Sequence, residues 1–347
     1  MNRIINFNMN ISENVVPSAQ EKNSSLETVL QDIGEDLEKV EEEFRKNLRS
    51  DVPIISSIGE HLLFSGGKRF RPILLLLSAK LCGYRGNHHI SMASLIEFIH
   101  TATLLHDDVV DRAELRRGAL SANSIWGNET CVLVGDFLFT KCFSLMVEKG
   151  NWKTLQSISQ ATMLMAEGEL EELIKTNDLS LTEENYLSII SKKTASLISA
   201  ASQIGAILGN VSEERKVAVS EFGKDVGMAF QLIDDNLDYT SKEEEFGKKI
   251  GIDLQDGKIT LPLIFALNQC NQEERAFIGE TVESLSITKE AFFRVVEIIE
   301  RYRGIHYTWE KAKGYVDRAK GYLHLFPNSK ERDALYVLAD YVLERKL

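Results

Sequence analysis

Leu104-Leu105-His106-Asp107-Asp108-Val109-Val110-Asp111 closes an apolar run of helical period with three carboxylates at i, i+1 and i+4. On a helix, Asp107 and Asp111 share one face. Like charges one turn apart repel and cost the helix roughly 0.2–0.5 kcal/mol. A hard divalent cation between them removes that penalty. Magnesium takes oxygen ligands, keeps several waters and is commonly held by one or two carboxylates together with substrate phosphates. The stretch therefore reads as a helix ending in a metal-binding face, and Arg112, Arg116 and Arg117 follow at once.

The device recurs in Gln231-Leu232-Ile233-Asp234-Asp235-Asn236-Leu237-Asp238. A single cluster of this kind is equally well read as a solvated helix face, because surface helices are rich in Asp and Glu. Two copies, each embedded in apolar sequence, argue against solvation. A calcium-binding EF-hand is excluded because neither copy has the glycine at the sixth loop position and the glutamate at the twelfth.

Outward from these motifs the pattern stays helical. Leu26-Val29-Leu30-Ile33-Leu37-Val40 has the i, i+3/i+4 spacing of an amphipathic helix, and similar stripes recur to the C-terminus, with no convincing strand alternation. The five prolines mark breaks: Pro53, Pro72 and Pro262 near helix starts and Pro327 between the last two helices. Residues 1–25, polar and Asn-rich, read as a disordered lead-in without the layout of a signal peptide. The expectation is one all-α domain over residues 26–347, with both motifs facing a shared cavity.

A hydrophobic fraction of 44% is ample for a large core, and a net charge of −12 argues against nonspecific nucleic-acid binding. The four cysteines have no ligand spacing, which fits free thiols in a reducing compartment and makes a zinc site improbable. No apolar stretch reaches the roughly 18 to 20 residues of a membrane span; Asp136 interrupts the run from Cys131 to Phe139.

Against this acidic background, separated cations stand out. Ser65-Gly66-Gly67-Lys68-Arg69-Phe70-Arg71-Pro72 is a glycine-flanked basic turn in which Lys68 and Arg71 could hold an anion, although it lacks a P-loop layout. His100 lies about two turns above Asp107 on nearly the same face, where a core histidine is the ordinary reading. Lys193-Thr194 interrupts a run of small and apolar residues; a snorkelling lysine is the alternative there. Phe246 to Pro262 reads as a glycine-rich loop carrying Lys248 and Lys258. The sum is a site for a polyanion bound with metal help.

These residues in combination resemble the trans-isoprenyl diphosphate synthases, the polyprenyl synthetase family: GGKRFRP, LLHDDVVDRAELRRG, KTASL, QLIDDNLDY and GKKIGIDLQDGKITLP occur in the family's order. The resemblance covers most of the chain after the lead-in and is closest to long-chain, octaprenyl-type synthases. It implies many antiparallel helices around a deep central cavity, the isoprenoid synthase fold, in a cytoplasmic homodimer. It also implies that Asp107, Asp111 and Asp234 ligate Mg2+ ions bridging to an allylic diphosphate, supported by Asp108, Asp235 and Asp238. Arg116, Lys193, Thr194, Gln231, Lys248 and Lys258 then match the residues holding the allylic diphosphate. Lys68, Arg71, His100 and Arg117 match those binding isopentenyl diphosphate, and Asn236 falls at a variable position.

Product length should follow from what lies below the first motif. One turn toward the helix N-terminus, Ala102 and Thr103 are small, with no Phe or Tyr at that level. Phe139, Phe143 and Met146 form an i, i+4, i+7 stripe that could supply a floor or could be ordinary core. The reading is a long-chain product near forty carbons, suited to quinone side chains and peripheral membrane contact. A geranylgeranyl- or farnesyl-length synthase is the alternative within the family. A noncatalytic partner subunit is the alternative outside it, disfavoured because both aspartate motifs are intact.

Overall fold

Helical periodicity translates into seventeen α-helices among the described residues, which in this computed structural model are 19–64, 69–116, 118–240, 251–284 and 286–345. The N-terminal third holds α1 (Ala19–Asp32), α2 (Gly34–Leu48), α3 (Pro53–Phe64), α4 (Phe70–Leu81) and α5 (His88–Val110). A two-rung hairpin, β1 (Leu115–Arg116) with β2 (Ala119–Leu120), leads to α6 (Ala122–Trp126), α7 (Asn128–Lys149) and α8 (Trp152–Ile174). Next, α9 (Glu183–Ile190) runs through a π-helical turn, Ser191–Ala195, into α10 (Ser196–Gly209), and α11 (Glu213–Thr240) follows. The remainder is α12 (Ile252–Gln255), α13 (Leu261–Leu267), α14 (Gln272–Val282), α15 (Lys289–Arg301), α16 (Gly304–Tyr322) and α17 (Lys330–Glu344).

Three expectations change. Helix α1 begins at Ala19, inside the segment read as lead-in, because Ala, Gln, Glu and Lys are good helix formers. The hairpin is too short to leave an alternating signal. The loop from Phe246 to Pro262 contains the single helical turn α12, and its residues 246–250 lie outside the described ones. The prolines fall as expected: Pro53 opens α3, Pro262 is the second residue of α13, and Pro327 precedes α17.

The core has two lobes that meet along α4 and α10. Ile73, Leu74 and Leu77 of α4 join Ile198 of α10, Phe222 and Val226 of α11, and the C-terminal helices in one lobe. Leu75 and Leu76, on the other side of α4, join Leu197, Ala201 and Ile204 of α10 with α2, α5 and α7 in the second. A helix buried on all sides reads as an unbroken apolar run, and Ile73 to Leu77 is one. The two central helices approach closely at Gly205, where a Cβ would lie 2.6 Å from the Ala79 backbone nitrogen. The thiols are core residues: burial pushes Cys82 and Cys142 up to about 12.

Helix α7 is long and apolar enough by composition to cross a membrane, unlike any uninterrupted stretch, because averaging over its length tolerates Asp136 and Lys141. One face, through Val134, Leu138 and Leu145, packs into the second lobe; Leu133 and Val147 on the other stay exposed.

Candidate active site

Both aspartate motifs lie at the C-terminal ends of long helices, the first closing α5 and the second in the last two turns of α11. A helix C-terminus carries partial negative charge over its last turn, so Asp107, Asp108 and Asp111 at the end of α5 are each disfavoured by about 0.3–1 kcal/mol unless cations arrive from elsewhere. Neither helix has a basic residue in its last turn. Other elements supply the cations.

Lys258 Nζ sits 3.1 Å from Asp111 Oδ2. Burial pulls the Lys258 pKa down, but Glu172, Asp111 and Asp253 outweigh it, and it stays above the ordinary lysine value. Arg116 directs two nitrogens at Oδ1 of the fully buried Asp108, each at 2.6 Å, while Asp108 Oδ2 has no hydrogen-bond partner among the described residues. Burial raises the Asp108 pKa and Arg116 opposes the rise. Lys193 pairs with Glu169 at 2.7 Å and with Glu172, and these carboxylates hold it protonated despite burial. Asp107 is pushed up to about 7, first by burial and then by Glu169, with Lys193 and Arg116 pulling the other way. Arg345, just past α17, pairs with Asp234 Oδ1 at 2.6 Å.

The second motif is braced from behind. Thr194 Oγ1 donates to Gln231 Oε1 at 2.7 Å, Gln231 Nε2 donates to Asp235 Oδ1 at 2.8 Å, and the Tyr186 hydroxyl donates to Asp235 Oδ2. The π-helical turn presents Lys193 and Thr194 to this network; such bulges recur where a helix must re-aim side chains. It packs so tightly on α8 that a Cβ at Gly168 would lie 2.7 Å from the Lys193 nitrogen. Asp238 turns toward the loop instead, where its carboxylate accepts from the backbone nitrogens of Ile252 and Asp253, each at 3.2 Å, and caps α12. Burial, then Asp253, push the Asp238 pKa up to about 8. Asn236 donates to the Ile305 carbonyl at 3.0 Å and is structural.

These elements surround a cavity of about 650 Å³ with two characters. Arg71, His100, Asp107, Arg116, Lys193, Thr194, Gln231 and Asp234 line it with polar groups, and Thr103, Phe139, Met165, Leu170 and Phe230 line it with apolar ones. A neighbouring cavity shares Lys193, Thr194 and Gln231 and adds Asp235, Asp253 and Lys258. Such a pairing suits an amphipathic molecule with an anionic head.

The structure thus brings together most of the expected site residues; Lys68, Arg117 and Lys248 lie outside the described ones. Of the residues expected to set product length, Thr103 faces the cavity, whereas Ala102 and Met146 are buried in the second lobe and Phe143 packs against it. The helix rotation that decides this was not legible from spacing. An aromatic ring, Phe139, does reach the cavity from α7. Sequence reasoning missed Glu169, Glu172, Asp253, His106 and Arg345. Glu169 and Glu172 had a signal, an i, i+3 acidic pair on α8; Arg345, a lone terminal cation, had none.

Asp107, Asp111 and Asp234 fit a hard divalent ion by the chemistry of the donor set: all are oxygen, and Lys258 and Arg345 stand as protein cations beside two of them. The described side chains form no ready cluster of three or more ligands.

Comparison with known proteins agrees with this geometry. Residues 52–299 match the family model described as polyprenyl synthetase. The octaprenyl diphosphate synthase of Escherichia coli is 40% identical over 92% of this chain and 99% of its own length. The all-trans-nonaprenyl-diphosphate synthase (geranyl-diphosphate specific) of Rhodobacter capsulatus is 38% identical over 91% of this chain and 97% of its own. A polyprenyl synthase from Caulobacter crescentus, solved in complex with calcium and isoprenyl diphosphate, superimposes with a TM-score of 0.88 at 40% identity, covering 93% of this chain and 98% of that one.

Proposed function

The chain belongs to the polyprenyl synthetase family and is a trans-prenyltransferase, and from that premise we propose that it condenses isopentenyl diphosphate with an allylic diphosphate, with magnesium, to a product near forty carbons. The observation that carries this reading is the single cavity into which α5 and α11 both present aspartates, half lined by charge and half by apolar side chains. The relatives named for eight- and nine-unit products support the length.

Asp107, Asp111 and Asp234 would hold the metal ions, which when bound withdraw negative charge from the departing diphosphate. Lys193, Lys258, Thr194 and Gln231 hold the allylic diphosphate and stabilise the charge that develops as its carbon–oxygen bond breaks. Glu169 and Glu172 keep Lys193 protonated and aimed. Arg71 and His100 place isopentenyl diphosphate so that its double bond meets the allylic cation, and this proximity supplies much of the remaining acceleration. The released diphosphate takes the proton lost in the last step. The apolar half of the cavity shields the cation from water and receives the growing tail.

A homodimer is part of the proposal. Leu133 and Val147 on α7, with Trp152, Met163, Leu173 and Ile174 on α8, are large apolar side chains left exposed, which supports an apolar contact with a second copy.

Incubating the purified protein with magnesium, labelled isopentenyl diphosphate and farnesyl diphosphate, then sizing the dephosphorylated products, tests the reading. A polyprenol near forty carbons is the expected result. Products that stop at fifteen to twenty carbons from a shorter starter would keep the class and overturn the length; no turnover would move the partner-subunit reading forward.

A further inference from the structure

Among the arginines and lysines that line the main cavity, Arg345 is the one that lies in none of the sequence motifs. The backbone leaves helical geometry at this residue, with φ −55° and ψ 116°, and its side chain turns into the main cavity. Two independent contacts fix it there. Its guanidinium carbon lies 4.2 Å from the centroid of the Phe230 ring, which itself stacks on Phe70 at 5.3 Å, and one terminal nitrogen lies 2.6 Å from Asp234 Oδ1. A planar cation over an aromatic face, with a carboxylate oxygen in ion-pair contact, is a built seat for an arginine.

That seat overlaps a metal position. A divalent ion on Asp234 and a guanidinium nitrogen 2.6 Å from Oδ1 of the same carboxylate would be adjacent cations that repel, so each weakens the other's hold on it. We propose that Arg345 is an internal counter-ion of Asp234 that competes with a divalent cation for its carboxylate, so the end of α17 opposes metal occupancy of the second motif. This rests on the metal-dependent reading above. It differs from a role in which Arg345 merely orients Asp234, which would make the metal bind more weakly once the arginine is removed.

The probe is Mn2+ with inorganic pyrophosphate, free Mn2+ being followed by electron paramagnetic resonance on the full chain. Arg345→Gln should bind Mn2+ about two- to fivefold more tightly, the range an incompletely buried ion pair supports. Arg345→Lys keeps the charge but loses the planar stack on Phe230, so its affinity should fall between wild type and Arg345→Gln. Lys330→Gln, which removes an exposed charge from the same helix, should leave affinity unchanged. Unchanged or weaker binding by Arg345→Gln, or equal tightening by Lys330→Gln, would overturn the proposal while leaving the metal-dependent reading intact. Absence of Mn2+ binding by the wild type would overturn both. A second measurement needs no variant: Mn2+ with pyrophosphate should speed amide hydrogen exchange at Leu343 and Glu344 in the unaltered protein, and unchanged or slower exchange there would overturn the proposal.

Discussion

Lys258 holds Asp111 across 147 positions of sequence, Nζ to Oδ2 at 3.1 Å, and so ties the end of α5 to the segment after α12. Both partners are more than three-quarters buried, where an unpaired charge is costly. Lys258→Ala should lower kcat by roughly 10²-fold, the scale for losing one preorganised donor to developing negative charge. Lys258→Arg should recover part of it. Steady-state kinetics with circular dichroism as a fold check decides; wild-type turnover in Lys258→Ala would remove this lysine from the chemistry.

Tyr186 and Asp235 make a second prediction. The phenol donates to a carboxylate that is 3% exposed, leaving water little access to replace it. Tyr186→Phe should cost about 1–3 kcal/mol in urea unfolding, the penalty of stranding a buried acceptor. A midpoint unchanged from wild type would show that Gln231 alone satisfies Asp235.

The buried aspartates give the metal-free protein a pH dependence whose sign is fixed. Burial raises Asp253 to about 6, Asp107 to about 7 and Asp238 to about 8, all above their ordinary value near 3.8. The native state therefore binds these protons more tightly than the unfolded chain. The associated stability is fully present below about pH 4 and is lost as pH rises through 6 to 8. Melting temperature of the metal-free protein should fall between pH 6 and pH 8.5, and Asp238→Asn should flatten that fall. A melting temperature that rises over this interval would contradict the assignment.

Fold class was legible because a helix broadcasts its period: the unbroken run at α4 survives translation into structure, and the stripe from Leu26 to Val40 is helical on both sides of a break at Ile33, which divides it between α1 and α2. The aspartate motifs were legible because repelling charges one turn apart have no local justification. What the sequence hid depends on rotation and on distance along the chain. Ala102 and Thr103 are neighbours, yet only Thr103 reaches the cavity, since successive residues on a helix point about 100° apart. Asp253 gains its place because Asp238 caps α12, a contact no spacing rule announces. Arg345 belongs to the site only because α17 packs beside α4 and α11, which carry Arg71 and Asp234.

That distinction between neighbouring residues yields the last prediction. Thr103 lines the apolar half of the cavity one turn below Asp107, so Thr103→Phe should place a ring in the path of the tail and shift products to shorter lengths. Met146 is 2% exposed and packs with Leu138 and Leu145 in the second lobe, apart from the cavity lining. Met146→Ala should cost about 2–5 kcal/mol of stability by opening a void, with the product distribution unchanged. Ala102→Val should behave like the core change, destabilising by about 1–3 kcal/mol through overpacking rather than shortening the product. Chain-length analysis beside urea unfolding separates the two behaviours. If Met146→Ala lengthened the product while Thr103→Phe left it alone, the tail would run beneath α7, and the wall formed by Thr103, Phe139 and Met165 would have no part in ending its growth.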